Sequence, residues 1–286
     1  MWILYAAGSS FFAGITAILA KCGIRKADSD VATAIRTAVV LVFSWIIALF
    51  AGGWTEIAEI SSEAFLFLVL SGLATGASWL CYFRALQKGE ITAVVSIDKL
   101  STVLTILLAL VFLREGLTWG KVLAVILIGT GTLLMVPGKS DGRDGQGISW
   151  LIYGILSAVF ASLTAILAKV GMEGVDSNLG TAIRTTVVLA MSWLMVLIQG
   201  KGGEVKRTGK SELRFIVLSG LATGMSWLCY YRALQEGPAS VVVPVDKLSI
   251  LVTIVFSRIV FGERLTGKAA AGVTMITAGT VLLAVL

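Results

Sequence analysis

The chain has 286 residues, of which 57% are hydrophobic and 14% charged, with a formal net charge of +6 and no histidine. Soluble domains carry about 25% charged and 45–50% apolar residues, whereas the mean hydropathy here is +0.93. A soluble enzyme, a nucleic-acid binder and a disordered scaffold are excluded together, and the positive balance points to cytoplasmic loops of a membrane protein.

The apolar residues gather into ten runs of roughly 18–24 residues, each long enough to cross a ~30 Å hydrocarbon core. In chain order the spans are expected at about 2–22, 31–51, 64–87, 91–113 and 119–137, then at the same ranges plus 148. The opening MWILYAAG lacks a basic n-region, so the first run reads as a retained span and not a signal peptide. Cys22, Cys81 and Cys229 lie in or at the ends of apolar runs without C-x-x-C spacing, and read as small packing residues. With no histidine, no metal or haem constellation is expected, and no G-x-x-x-x-G-K-[ST] occurs for ATP-driven transport.

The spans are duplicated. ITAILAKCG (15–23) returns as LTAILAKVG (163–171), TAIRT occurs at 33–37 and 181–185, and DKLS at 98–101 and 246–249, always 148 residues apart. LSGLATGxSWLCYxRALQ occurs at 70–87 and 218–235. Without gaps, roughly 60 of 138 aligned positions are identical, which marks an internal repeat. The polar stretch GKSDGRDGQG (138–147) reads as the connection, giving repeats at 1–138 and 149–286 with a linker at 139–148.

Five spans per repeat is an odd number, so the second repeat enters from the opposite side. The expected fold is an all-α membrane protein of ten helices, two inverted five-helix repeats of the kind found in secondary transporters. Loop charge agrees with inversion: one side carries eleven Lys or Arg, the other only Arg114 and Lys121. The positive-inside rule makes the first side cytoplasmic and places both termini outside.

The block LSGLATGxSWLCYxRALQ, the E-x-L-T after the fourth and ninth spans (Glu115–Thr118, Glu263–Thr266) and the paired five-span layout resemble the EamA family of the drug/metabolite transporter superfamily. The resemblance covers essentially the whole chain, and each half also resembles the short single-repeat members. It implies a ten-helix secondary transporter, often a metabolite exporter, in a bacterial-type inner cell membrane, as a monomer or homodimer with a small-molecule substrate and no cofactor. Better-known ten-helix relatives are described with both termini cytoplasmic, opposite to the loop count here. The proline common in the fourth helix is Ser96 in the first half, while the second half has Pro244.

Ionisable residues inside spans cost about 2.5–3.5 kcal/mol at the helix centre on insertion scales. They come in matched sets: Lys21, Arg36, Arg84, Asp98 and Lys99, then Lys169, Arg184, Arg232, Asp246 and Lys247. Lys21 and Lys169, at helix ends, fit snorkelling; Arg36 and Arg184 fit either snorkelling or a cavity wall. Asp98 and Asp246 have short side chains, and Arg84 and Arg232 precede the turns leading to them, so Arg84–Asp98 and Arg232–Asp246 are expected as gating pairs or structural ion pairs. Trp79 with Tyr82, and Trp227 with Tyr230, are three apart on one helix face and either line the substrate path or pack at the interface. Gly72, Gly76, Gly220 and Gly224 read as close helix packing.

Eight basic against two acidic residues in these sets favour an anionic or zwitterionic substrate gripped by arginine. A proton-coupled exporter of organic cations using Asp98 and Asp246 is the alternative. The first span lacks the glutamate that marks the small multidrug resistance relatives. An intramembrane enzyme is disfavoured because every candidate polar group has a symmetry mate.

Overall fold

The computed structural model describes residues 1–23, 27–51, 57–88, 97, 100–134, 149–261 and 266–285. All regular structure among them is helical. The longer helices are α1 (Trp2–Gly23), α2 (Ser29–Phe50), α3 (Ser62–Lys88), α4 (Ser101–Phe112), α5 (Trp119–Leu134), α6 (Ser149–Gly171), α7 (Ser177–Ile198), α8 (Lys210–Glu236), α9 (Ala239–Lys247), α10 (Ser249–Phe261) and α11 (Gly267–Val285). Eight stretches are long and apolar enough to cross a membrane, and α4 and α5 are shorter apolar helices. A 22-residue helix such as α2 is about 33 Å long at 1.5 Å per residue, the thickness of the hydrocarbon layer.

Helix starts follow the sequence. Asp28 caps α2 by accepting the N–H groups of Asp30 (2.9 Å) and Val31 (3.2 Å). Its counterpart Asp176 caps α7 through Asn178 (3.0 Å) and Leu179 (3.1 Å). Each short carboxylate satisfies two of the donors that a helix N-terminus leaves open. The ninth span is a pair of helices, α9 and α10, meeting at Leu248. Pro244 inside α9 lacks the N–H that a continuous ladder needs.

Burial is reversed relative to a soluble protein. Phe50 and Trp119 are each 89% exposed, and Leu4, Val42, Val111, Leu197 and Ile259 are also exposed. The buried positions are largely Ala, Ser and Thr, the small residues that let helices approach closely in lipid. Many of the hydroxyls bond back to their own helix, Thr37 to Thr33 O (2.8 Å), Thr181 to Ser177 O (2.6 Å) and Thr223 to Ser219 O (2.7 Å) among them.

The chain divides into two compact units, each drawing on both sequence repeats. The first comprises Met1–Leu73, Leu167–Gly237 and Ser249–Glu263. Within it α8 packs on α1, α2 and α7, α2 packs on α7, and α1 packs on α10. The α2–α7 pair runs antiparallel: Asp30 meets Lys201, Val31 and Ala34 pack with Val196, and Trp45 Nε1 donates to Thr186 Oγ1 at 3.3 Å. At one end Lys201 Nζ bridges Asp28 (2.9 Å) and Asp30. Burial works against the Asp28 charge, but the Lys201 ammonium and the Val31 and Asp30 N–H groups hold its carboxyl below the usual range. Burial likewise works against the Lys201 charge, and its two carboxylate partners raise it instead.

The second unit comprises Ala74–Ile166, Pro238–Leu248 and Arg264–Leu286. Here α5 packs on α11 and α4, and α9 packs on α4 and α11. Gly131 and Gly279 make the α5–α11 approach possible. A methyl group on Gly131 would stand 2.6 Å from Gly272 O, and one on Gly279 would stand 3.0 Å from Ala124 O.

Contacts recur with the two repeats exchanged. Ser226 Oγ donates to Ser9 O at 3.1 Å, and Ser78 Oγ donates to Ser157 O at 3.0 Å; adding 148 to 9 and subtracting it from 226 turns the first contact into the second. Thr16 with Thr223 and Thr75 with Thr164 are related in the same way, each at 3.4 Å. Gly220 against Val39 and Gly72 against Val187 form a third such pair.

Candidate functional site

Gly72 lets α3 approach the α7 backbone, since a methyl group there would lie 2.7 Å from Val187 Cβ and 3.0 Å from Arg184 O. The adjacent Ser71 thereby reaches Arg184, whose Nε donates to Ser71 Oγ at 3.3 Å. Arg184 is 0% exposed. On the α8 side its guanidinium carbon lies 4.2 Å from the ring centre of Tyr231 and 5.7 Å from that of Trp227. Burying an isolated cation costs several kcal/mol, and a desolvated cation–π contact returns about 2 kcal/mol. The arginine is therefore held by aromatic faces and a hydroxyl, an environment that tolerates a cation.

Trp227 and Tyr231 are four apart and, with Tyr230 between them at three, lie on one face of α8. Tyr230 flanks the cage by packing edge-on against Tyr231, with ring centres 4.9 Å apart. Arg36, the repeat counterpart of Arg184, is only partly buried.

Arg232 Nε donates to Glu236 Oε1 at 2.6 Å, one turn along α8. Arg232 and Gln235 border a polar cleft of about 460 Å³ with Glu59, Gly174, Val175 and Asp176. Gln235 Nε2 closes one wall by donating to Met172 O (2.8 Å) and Val175 O (2.6 Å). Lys169 does not snorkel. Its Nζ donates to Leu234 O (2.7 Å) and Gly237 O (2.6 Å), neutralising the negative end of α8.

In the second unit Trp79, Tyr82 and Asp246 are half-buried, while Arg84 and Lys247 are exposed. Asp98 and Lys99 lie outside the described residues, and with them the expected Arg84–Asp98 pair. Of the expected site residues, Arg36, Arg184, Trp227, Tyr230 and Arg232 fall in the first unit; Trp79, Tyr82, Arg84, Asp246 and Lys247 fall in the second. Glu115 was not expected as a site residue. Its carboxylate accepts the N–H groups of Ala239 (2.7 Å) and Ser240 (3.2 Å) and the Ser240 hydroxyl, with Lys121 Nζ 3.7 Å away. This gives the E-x-L-T motif a physical role: Glu115 anchors the N-terminus of α9, the helix that carries Asp246. Tyr231 and Ser71 were also missed. The signal for Tyr231 was its replacement by Phe83, one of two differing positions in the repeated block. Among the described residues no three Cys, Asp or Glu side chains converge as a metal site.

Helices of membrane-spanning length, a reversed burial pattern and a duplicated helical block define a multi-pass membrane protein. Comparison with known families matches the EamA-like transporter family over residues 1–136 and again over 148–285, and the chain belongs to that family. An uncharacterized transporter encoded in the cobO 3′ region of Sinorhizobium sp is 45% identical over 137 residues, 48% of this chain and 97% of that protein. That relative has the length of one repeat. An uncharacterized transporter of Pseudomonas aeruginosa is 23% identical over 216 residues, 75% of this chain and 69% of its own. A solved crystal structure superposes with a TM-score of 0.76 at 15% identity, over 99% of this chain and 96% of that one, a likeness of fold.

Proposed function

We propose that the chain is a secondary transporter, an exporter of a small polar metabolite, built as ten helices in two inverted five-helix repeats that work by alternating access. The observation that carries this reading is the reciprocity of contacts. When halves are related by a twofold axis, each contact between residues i and j implies another between j − 148 and i + 148, and the antiparallel packing of the equivalent helices α2 and α7 is what an in-plane axis gives. The Ser9–Ser226 and Ser78–Ser157 pairs obey that rule, as do the threonine and glycine pairs. Two packings that are copies of each other with sides exchanged supply the two near-equal states alternating access requires. Aromatic residues Trp79 and Trp227 line the path in this reading, Arg36 meets the cargo, Arg184 positions the aromatic wall of α8, and Asp98 and Asp246 belong to opposite gates.

Two measurements test it. Single cysteines replacing Gly145 and Gly209 are expected to resist an impermeant thiol reagent in intact cells, since both loops face the cytoplasm in this topology. Labelling of both refutes the orientation. Purified chain in proteoliposomes is expected to exchange labelled metabolites down a gradient without ATP; no flux across a metabolite panel refutes the transporter reading.

A further inference from the structure

Arg36 and Arg184 hold equivalent places in α2 and α7, each eight residues after its capping aspartate, Asp28 or Asp176. At 1.5 Å per residue both begin about 10 Å inside their helices. Their surroundings nevertheless differ. Arg184 is fully buried between Ser71, Tyr231 and Trp227. Arg36 is partly exposed, and among the described residues no hydrogen bond or ion pair reaches it. Ser219, which corresponds to Ser71, turns its hydroxyl instead to Thr16 O at 3.4 Å. At the place of Tyr231 the first repeat carries Phe83, with no hydroxyl.

A cation at that depth is expensive to keep without a partner. Guanidinium offers five donors in a planar fork, matched to two oxygens of a carboxylate or phosphate. We propose that Arg36 is the docking residue for an oxyanion of the cargo, and that Arg184 is its engaged counterpart, held by the protein's own rings. This deepens the transporter reading and rests on it for the word cargo; the docking of an oxyanion at Arg36 stands by itself. The substrate class is a small organic anion or zwitterion bearing a carboxylate or phosphate. The same oxyanion chemistry is offered by a phospholipid headgroup, so the test separates the two sources.

The 286-residue chain, purified in phospholipid-free maltoside micelles, is treated with phenylglyoxal, and modification of each arginine is followed by mass spectrometry. Arg36 is expected to react at least ~10-fold faster than the buried Arg184. Millimolar inorganic phosphate, succinate or glutamate is expected to slow Arg36 severalfold, while choline chloride at equal ionic strength does not. Arg36→Gln is expected to abolish the anion-induced rise in melting temperature, and Arg36→Lys to keep part of it. Should Arg36→Gln fold poorly, protection of the unsubstituted chain still decides. Slowing by choline alone, by phosphatidylglycerol alone, or by none of these overturns the proposal. Flux is read separately: choline exchange in proteoliposomes without anion protection overturns Arg36 docking and keeps the transporter. Anion protection without flux of any labelled panel member keeps the docking and removes the transport.

Discussion

Glu115 should be the most costly loop residue to neutralise. Its side chain is 11% exposed, accepts two backbone N–H groups and one hydroxyl from the start of α9, and faces Lys121 at 3.7 Å. A hydrogen bond to a charged group contributes about 1.5–3 kcal/mol, the helix N-terminus about 0.3–1 kcal/mol, and the Lys121 contact about 1 kcal/mol or less. These terms overlap and do not add in full. Glu115→Gln keeps a carbonyl acceptor and loses the charge, so the expected loss is about 2 kcal/mol. Glu115→Ala leaves both N–H groups without that acceptor, and the expected loss is about 3–4 kcal/mol. The assay is reversible unfolding in mixed micelles with rising dodecyl sulfate, read by the fluorescence of the eight tryptophans. A double-mutant cycle with Ser240→Ala should return a coupling of about 1 kcal/mol. Additive single effects, or wild-type stability of Glu115→Gln, would refute the anchoring role.

Lys201→Gln should remove about 1 kcal/mol near neutral pH, because the pair it forms with Asp28 and Asp30 is only partly exposed. The Asp28 carboxyl is lowered in the fold, so its share is present above the unfolded value and lost as pH falls through the folded one. Lys201 is raised, so its share is present below its ordinary value and lost as pH rises through the folded one; the substitution should flatten both limbs of a stability–pH profile. Gly72→Ala and Gly220→Ala should each lose about 1–3 kcal/mol, since the new methyl meets Val187 or Val39 at 2.7 Å. Gly116→Ala, with nothing within 4 Å, should show no such loss in the same unfolding assay. Arg114 has φ 52°, and the matching residue of the second repeat is Gly262, so Arg114→Gly should raise the melting point by relieving up to about 1 kcal/mol of backbone strain.

Much of the fold was readable because lipid imposes one rule on every span: apolar length. Both α2 and α7 begin at the aspartate-capped turns and follow the 148-residue offset. The ninth span was read as one helix; it is long and apolar enough to cross the membrane over Ala239–Phe256, with a one-residue turn at Leu248, four residues after Pro244, that hydropathy does not register. The site was less legible for a related reason. Intramembrane charge flags Arg184 at once, but its partners come from α3 and α8, and nothing local in the sequence says which face of α8 turns toward α7. Counting three residues from Trp227 selects Tyr230 and passes over Tyr231, one residue further on the same face, whose ring lies 4.2 Å from the Arg184 guanidinium. Glu115 was hidden because its role is to serve a helix 124 residues later. Lys169 was misjudged because helix-end lysines in lipid usually find headgroups, while here carbonyls of α8 lie within reach.

The Ser9–Ser226 contact joins residues 217 apart in the chain. At a ribosomal pace of about 5–20 residues per second, α1 waits roughly 10–40 s in the bilayer before α8 exists. By contrast α6 finds α3 already made, with Ser157 only 79 residues behind Ser78. Identical packing is thus assembled on two schedules. During its wait α1 lacks the α8 partners of Ser9 and Thr16, and a ribosome stalled before residue 210 leaves those contacts unmade. Translation through Glu236 supplies the partner, which makes the eighth segment the step that commits the first to its final place.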